Sequence, residues 1–131
     1  DATKNAGFSN ETPWLPVHEN HSTVNVLHQE NDQNSVLNHF RKMVALRKDN
    51  LLLVYGNYEI IQDDHPTIYA YSRTLEDQQM IILLNFSELE SSISLPNFDH
   101  NKEVLINNYN EFSIDENTIT LKPYQAVVLK F

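Results

Sequence analysis

The chain contains no cysteine, so neither a disulfide framework nor a thiolate metal site is open to it, a composition that fits a reducing compartment. Glycine is almost as scarce: Gly7 and Gly56 are the only two in 131 residues. That scarcity rules out a Gly-rich phosphate loop and a Gly-x-Ser-x-Gly nucleophile elbow. Long apolar runs are missing too. The longest, over 51–55 and 80–84, fall far short of the roughly 20 residues of a membrane span, and no basic-then-apolar leader opens the chain. Positive charge is in deficit, with nine basic against eighteen acidic residues and a formal charge of -9. Such a surface repels phosphate backbones and anionic lipid, so neither nucleic acid nor membrane is expected as a partner. A soluble, cytoplasmic protein is the expectation, and a start at Asp1 rather than Met suggests a piece of something longer.

What is present reads as mostly β. At 131 residues one core suffices, burying about two-thirds of the unfolded surface. Residues 67–86 read as a hairpin, with Ile68-Tyr69-Ala70-Tyr71 as one arm, Met80-Ile81-Ile82-Leu83-Leu84 as the other, and a turn around Glu76-Asp77-Gln78-Gln79. An unbroken apolar run of that length is what a strand covered on both faces looks like, which puts it centrally in a sheet. Further strands are expected over 52–55, 58–62, 91–95, 103–108, 118–121 and 126–131, with breaks at Gly56-Asn57, 63–66, Pro96-Asn97 and Asp115-Glu116-Asn117. Sixteen asparagines are available for left-handed turn positions that glycine cannot supply. Residues 35–48 predict the one helix: Ser35 as N-cap, then Val36, Leu37, Phe40, Met43 and Val44 at helical spacing. Residues 1–34 are polar and aperiodic and read as an extended loop, unusually long for a compact domain. The fold class is an antiparallel Greek-key β-sandwich preceded by a long loop and one α-helix.

Little here can do chemistry. His18 and His21 are the only close histidines, and they fall in a loop, so no metal site and no cofactor are expected. The pairs Asp63/Asp64, Glu88/Glu90 and Asp115/Glu116 fall in expected turns, where nothing splits their pKa values into an acid and a base. Trp14, the single tryptophan, is flanked by Pro13 and Pro16; it is either a packing anchor or a stacking platform for a sugar ring, and the burial tendency of aromatics favours the anchor. Tyr55, Tyr58, Tyr69 and Tyr71 invite the same question, and a sandwich face is the commoner answer.

The order of the pieces is informative. Asn5-Ala6-Gly7-Phe8, then Pro13-Trp14-x-Pro16-Val17, then Ser35-Val36 opening a helix that ends Leu46-Arg47-Lys48, resembles glycoside hydrolase family 13, in the oligo-1,6-glucosidase branch of its α-glucosidases. Val54-Tyr55-Gly56-x-Tyr58, Ile68-Tyr69-Ala70-Tyr71-x-Arg73, Asn85-Phe86-Ser87 and Leu105-Ile106-x-Asn108-Tyr109 follow that family's C-terminal domain in the same order.

The resemblance implies a non-catalytic fragment. Residues 1–50 would be the loop and helix that end a (β/α)8 barrel, and 51–131 the β-sandwich that follows it. The family cleaves α-glucosidic bonds with retention, using an aspartate nucleophile and a glutamic acid about 5 Å apart; those residues would lie on earlier barrel strands, and none maps onto this sequence. Asn5, Phe8 and Trp14 would border the substrate cleft, because barrel sites are built from loops at the strand ends. The family's Asn-Pro-Asn after the Pro-Trp segment is replaced here by His18-Glu19-Asn20. The partner implied is the catalytic barrel, with an α-glucan or oligosaccharide as ligand. The rival readings are a stand-alone carbohydrate-binding module and a domain that self-associates through the helix face of Val36, Phe40 and Met43.

Overall fold

Strand pairing is organised by the hairpin, and its second arm occupies the middle of a sheet. The computed structural model describes residues 1–96 and 101–131. Its helices are α1 (Val26–Asn31), α2 (Val36–Asp49) and α3 (Leu51–Tyr55). The strands are β1 (Asn57–Ile61), β2 (Ile68–Leu75), β3 (Gln78–Asn85), β4 (Ser91–Ser94), β5 (Glu103–Asn107), β6 (Ser113–Asp115), β7 (Thr118–Leu121) and β8 (Ala126–Lys130). Two compact units, Asp1–Ala45 and Leu46–Phe131, divide the chain.

In the second unit a five-stranded sheet in the order β1-β2-β3-β8-β5 accompanies a three-stranded sheet in the order β4-β7-β6, and every pairing is antiparallel. The chain crosses between the sheets repeatedly, and β8 returns to lie between β3 and β5, a crossed connection of the Greek-key type. Alternate residues of the central strands supply the core. Ile68 and Ala70 on β2, Ile81 and Leu83 on β3, and Val127 and Leu129 on β8 meet Ile93, Leu95, Ile119 and Leu121 from the smaller sheet and its margin. The run Met80–Leu84 is covered on both faces, as its lack of alternation predicts. Its other set, Met80 and Ile82, packs under Leu52 of α3.

That cover is the first departure from the sequence reading. Residues 52–55 form no strand; they belong to α3. A five-residue apolar stretch suits either state, and here the helix lets Leu52 bury on the outer face of the sheet. Gly56 ends it, donating its N–H to the Leu52 carbonyl at 3.0 Å. A β-carbon at Gly56 would stand 2.5 Å from that same oxygen, so the close approach requires glycine. A strand at β6 was not expected, whereas the remaining strands lie within a residue or two of their expected bounds. The break expected at Pro96-Asn97 has its second residue outside the described residues.

The second departure lies in residues 1–34, which are not one extended loop. Short 3-10 turns form at Lys4–Gly7 and Glu19–Ser22, and α1 follows. Asn25 caps α1, its buried side chain accepting the His28 N–H at 3.0 Å. Polar groups then tie α1 to the start of α2. Ser35 Oγ and Asn38 Nδ2 both donate to the Gln29 carbonyl, at 2.7 and 2.8 Å, and Gln29 Oε1 accepts the Leu37 N–H at 3.0 Å. Ser35 caps α2 as predicted, its hydroxyl accepting from the Asn38 N–H at 3.2 Å. Asparagine supplies only one of the left-handed non-glycine positions among the described residues. Among the described residues the left-handed non-glycine positions are Asn5, Ala6, Gln62, Glu76, Glu116 and Tyr124.

Candidate functional site

Residues 5–14 carry the positions expected to border a substrate. The backbone turns through left-handed dihedrals at Asn5, Ala6 and Gly7. Asn5 closes this turn with its side chain, Nδ2 donating to the carbonyls of Ser9 and Glu11 at 2.7 Å each. Its amide nitrogen is therefore spent on loop shape. Phe8 and Trp14 project outward, 87% and 90% exposed. Among the described residues nothing covers the indole, so Trp14 anchors no packing within this chain. Phe8 also borders a shallow depression with Asp1, Thr3 and Lys4.

The apolar stripe of α2 is equally bare. Val36 is 82% exposed, and Phe40 and Met43 join it at spacings of four and three. An amphipathic helix of this length draws its stability mainly from packing that stripe.

The tyrosines are placed together, but not between the sheets. Tyr58, Tyr69 and Tyr71 lie on the outer face of the larger sheet, the face that carries α3, so the expected sandwich face is an outer one. Tyr71 stands 5.3 Å from Tyr58 and 5.6 Å from Tyr69, ring centre to ring centre. The hydroxyls of Tyr58 and Tyr69 share a 2.6 Å hydrogen bond. That bond, with some desolvation, raises the pKa of Tyr58, and burial raises that of Tyr71 against the lowering effect of Arg73. Tyr55, by contrast, is exposed and makes none of these ring contacts. Arg73 lies beside Tyr71 and reaches the last carbonyls of α3, at 3.4 Å from Leu53 and 3.5 Å from Val54. Arg47 donates to the same Leu53 oxygen, so two cations meet the negative end of α3.

Behind the loops of the second unit sits an amide network whose role is structural. Gln125 is fully buried; its Nε2 donates to Asn107 Oδ1 and to the Glu111 carbonyl, both at 2.9 Å, and its Oε1 accepts the Lys122 N–H. Asn85 donates to the carbonyls of Leu89 and Lys122, and Asn108 to that of Tyr124. The Asn85 and Asn108 motifs are thus explained by loop closure rather than chemistry.

The other candidates stay apart. His18 Nδ1 accepts from the Asn20 N–H, and His21 Nδ1 pairs with the His18 carbonyl. No group of three or more metal-ligating side chains is assembled among the described residues. Asp63, Asp64, Glu88, Glu90, Asp115 and Glu116 are all exposed to solvent. No helix among the described residues is long and apolar enough to cross a membrane.

Two family models match separate stretches of the chain. The family model for the alpha amylase catalytic domain matches residues 1–56, and that for the alpha-amylase SusG C-terminal domain matches 68–128. The oligo-1,6-glucosidase of Parageobacillus thermoglucosidasius is 42% identical over 135 residues, covering 99% of this chain and 24% of its own length. Trehalose-6-phosphate hydrolase of Bacillus subtilis (strain 168) is 36% identical, with 99% of this chain and 24% of its own covered. A crystal structure of Bacillus licheniformis trehalose-6-phosphate hydrolase superimposes with a TM-score of 0.90 at 33% identity, over 99% of this chain and 24% of that one. The chain thus spans about a quarter of the length of the curated relatives it matches.

Proposed function

Because the chain belongs to the alpha-amylase family, glycoside hydrolase family 13, and matches oligo-1,6-glucosidases along its length, we propose that it is the non-catalytic C-terminal part of a cytoplasmic α-glucosidase. Residues 1–50 close the catalytic (β/α)8 barrel of the parent, and 51–131 form the β-sandwich that covers and stabilises it. The carrying observation is the bare apolar stripe of Val36, Phe40 and Met43 in a segment that matches the catalytic domain. A surface helix of a barrel turns such a stripe inward onto the strands. The parent hydrolyses short α-glucosides such as isomalto-oligosaccharides. Phe8 and Trp14 border its substrate cleft, with Asn5 holding their loop in shape; their exposure is what such a rim requires. The lack of cysteine is consistent with the cytoplasm.

The experiment is a complementation. The chain alone is expected to release no nitrophenol from an aryl α-glucoside. Grafted in place of the matching segment of the Parageobacillus thermoglucosidasius enzyme, it is expected to restore hydrolysis that the truncated barrel lacks. Robust hydrolysis by the isolated chain, or an inactive graft, would overturn the reading.

A further inference from the structure

The two sheets of the second unit do not end at the same level. Along β3 the inward-facing residues Leu83 and Ile81 are buried, but Gln79, the next in that direction, is exposed. The smaller sheet stops short of it: β4 ends at Ser94, and Leu95 and Pro96 form a lip opposite the larger sheet. Between that lip and the inner face lies an open cleft of about 670 Å³, a volume in the range of small-molecule sites. Its floor is aliphatic, built from Ile61, Ile81 and Leu95, with Phe131 beside them. One hydroxyl is aimed into it. Ser72 is only 5% exposed and lines the cleft, yet no hydrogen bond among the described residues uses its side chain. Buried hydroxyls nearly always have a partner, and one without forfeits free energy that a bound donor or acceptor restores.

Charge narrows the ligand. Glu59 faces Ser72 directly across the β1–β2 ladder, while Asp77 lies in the β2–β3 turn, past the Leu75–Gln78 pair. Both residues line the cleft and are exposed, and neither carboxylate makes an ion pair or a hydrogen bond among the described residues. No lysine, arginine or histidine among the described residues lines it. An anion is therefore repelled. A sugar ring would press hydroxyls against the aliphatic floor and leave them unpaired, and a purely apolar molecule would answer neither Ser72 nor the carboxylates. An aliphatic chain bearing ammonium groups meets every feature. Its methylenes lie on Ile61, Ile81 and Leu95, one ammonium pairs with Glu59 and another with Asp77, and an N–H donates to Ser72 Oγ. We infer that the cleft where the larger sheet overhangs the smaller is a binding site for an aliphatic polyamine. The site lies on the face of the larger sheet opposite α3 and is independent of any activity of the parent.

Titration calorimetry of the chain with spermidine, together with NMR of its isoleucine methyl groups, tests it. Saturable one-to-one binding is expected, with the methyls of Ile61 and Ile81 shifting and that of Ile114 on β6, outside the cleft, unmoved. Glu59→Gln and Asp77→Asn, both at exposed positions, are each expected to weaken binding by about 2–5-fold, the range of one exposed charge pair. Ser72→Ala is expected to weaken it with both carboxylates in place. The double variant Glu88→Gln/Glu90→Gln removes as much charge from the β3–β4 loop and is expected to leave binding unchanged. Hexylamine, with a single ammonium, is expected to bind more weakly than spermidine, and hexane-1,6-diol not to bind. No saturation by about 10 mM spermidine would overturn the site. A loss in Glu88→Gln/Glu90→Gln equal to that in Glu59→Gln/Asp77→Asn would also overturn it, by showing diffuse attraction to an acidic surface. Equal methyl shifts on adding isomaltose or hexane-1,6-diol would assign the cleft to a neutral ligand and refute the polyamine. Full affinity in Ser72→Ala would refute the part given to the buried hydroxyl, and with it the site as described.

Discussion

Replacing Gly56 by alanine pits two opposing effects against each other at one atom. Gly56 has φ -58° and ψ 148°, values open to any residue, so a dihedral argument predicts a gain of about 0.4–1 kcal/mol from a less flexible unfolded chain. Space predicts the reverse. The new β-carbon would lie 2.5 Å from the Leu52 carbonyl oxygen, 3.1 Å from that of Thr74, and 3.1 Å from Leu52 Cδ1. Two of these are backbone atoms held in place, one by the Gly56-to-Leu52 hydrogen bond and the other next to the Asn57–Thr74 pair of the β1–β2 ladder. Relief therefore requires α3 to lift. Overpacking of this kind costs about 1–3 kcal/mol, and partial loss of Leu52 burial against Met80 and Ile82 draws on a further ~1.5–3 kcal/mol. The net expectation is a loss of about 2–4 kcal/mol. Urea unfolding followed in the near-ultraviolet circular dichroism of the tyrosine cluster reports this unit. With a slope of about 1–3 kcal/mol per molar urea, the midpoint should fall by about 0.7 M or more. A midpoint equal to or above that of the parent chain would refute the steric account, leaving Gly56 as a replaceable residue and α3 as loosely seated.

Gln125→Ala removes a fully buried amide and strands the Lys122 N–H, the Glu111 carbonyl and one acceptor site of Asn107; the expected loss is more than about 2 kcal/mol, read in the same urea experiment. The tyrosine cluster gives a pH signature. Tyr58 is raised by its bond to Tyr69 and Tyr71 by burial, so the folded chain holds their protons to higher pH than the unfolded chain does. Stability from this source is complete below the ordinary tyrosine value and is lost as pH rises above it. Absorbance at the phenolate band should show Tyr58 and Tyr71 ionising at higher pH in the folded chain than in the urea-unfolded chain; identical ionisation of the two residues in both states would contradict the packing described.

Strands were legible wherever burial alone decides side-chain direction. Thr118–Leu121 alternates because Ile119 and Leu121 enter the core while Thr118 and Thr120 do not, and a period of two in the sequence carries that directly. The apolar run at Leu51–Tyr55 was not legible, because the choice between strand and helix depends on the outer face of β3, some thirty residues away, which needs a cover that a strand in the sheet plane does not supply. α1 escaped for the opposite reason: it is held by Asn25, Gln29 and Asn38 rather than by an apolar stripe, so it has no period to detect. The left-handed residues Glu76 and Glu116 sit in the two-residue turns between the paired ends Leu75–Gln78 and Asp115–Thr118, where register forces the turn whichever residue occupies it. Ser113–Asp115 is too short to show a pattern and exists as a strand only by pairing with β7.

The candidate site was legible in a different way. No residue from 1 to 34 announces substrate contact by composition, and the general tendency of tryptophan to bury pointed in the wrong direction for Trp14. The tendency is correct as physics, since leaving an indole, the Phe8 ring and the Val36–Phe40–Met43 stripe in water forfeits the hydrophobic stabilisation that burying them would bring. A chain that exposes all of these while burying Leu83, Ile119 and Leu129 completely has no general weakness in its packing. Phe8, Trp14 and the Val36–Phe40–Met43 stripe all lie in the segment that matches the catalytic domain. The proposed parent accounts for them with one partner, its catalytic barrel. The sandwich core closes on itself without that partner, whereas the helix stripe finds no cover among the described residues, and a barrel is what the proposed function supplies for it.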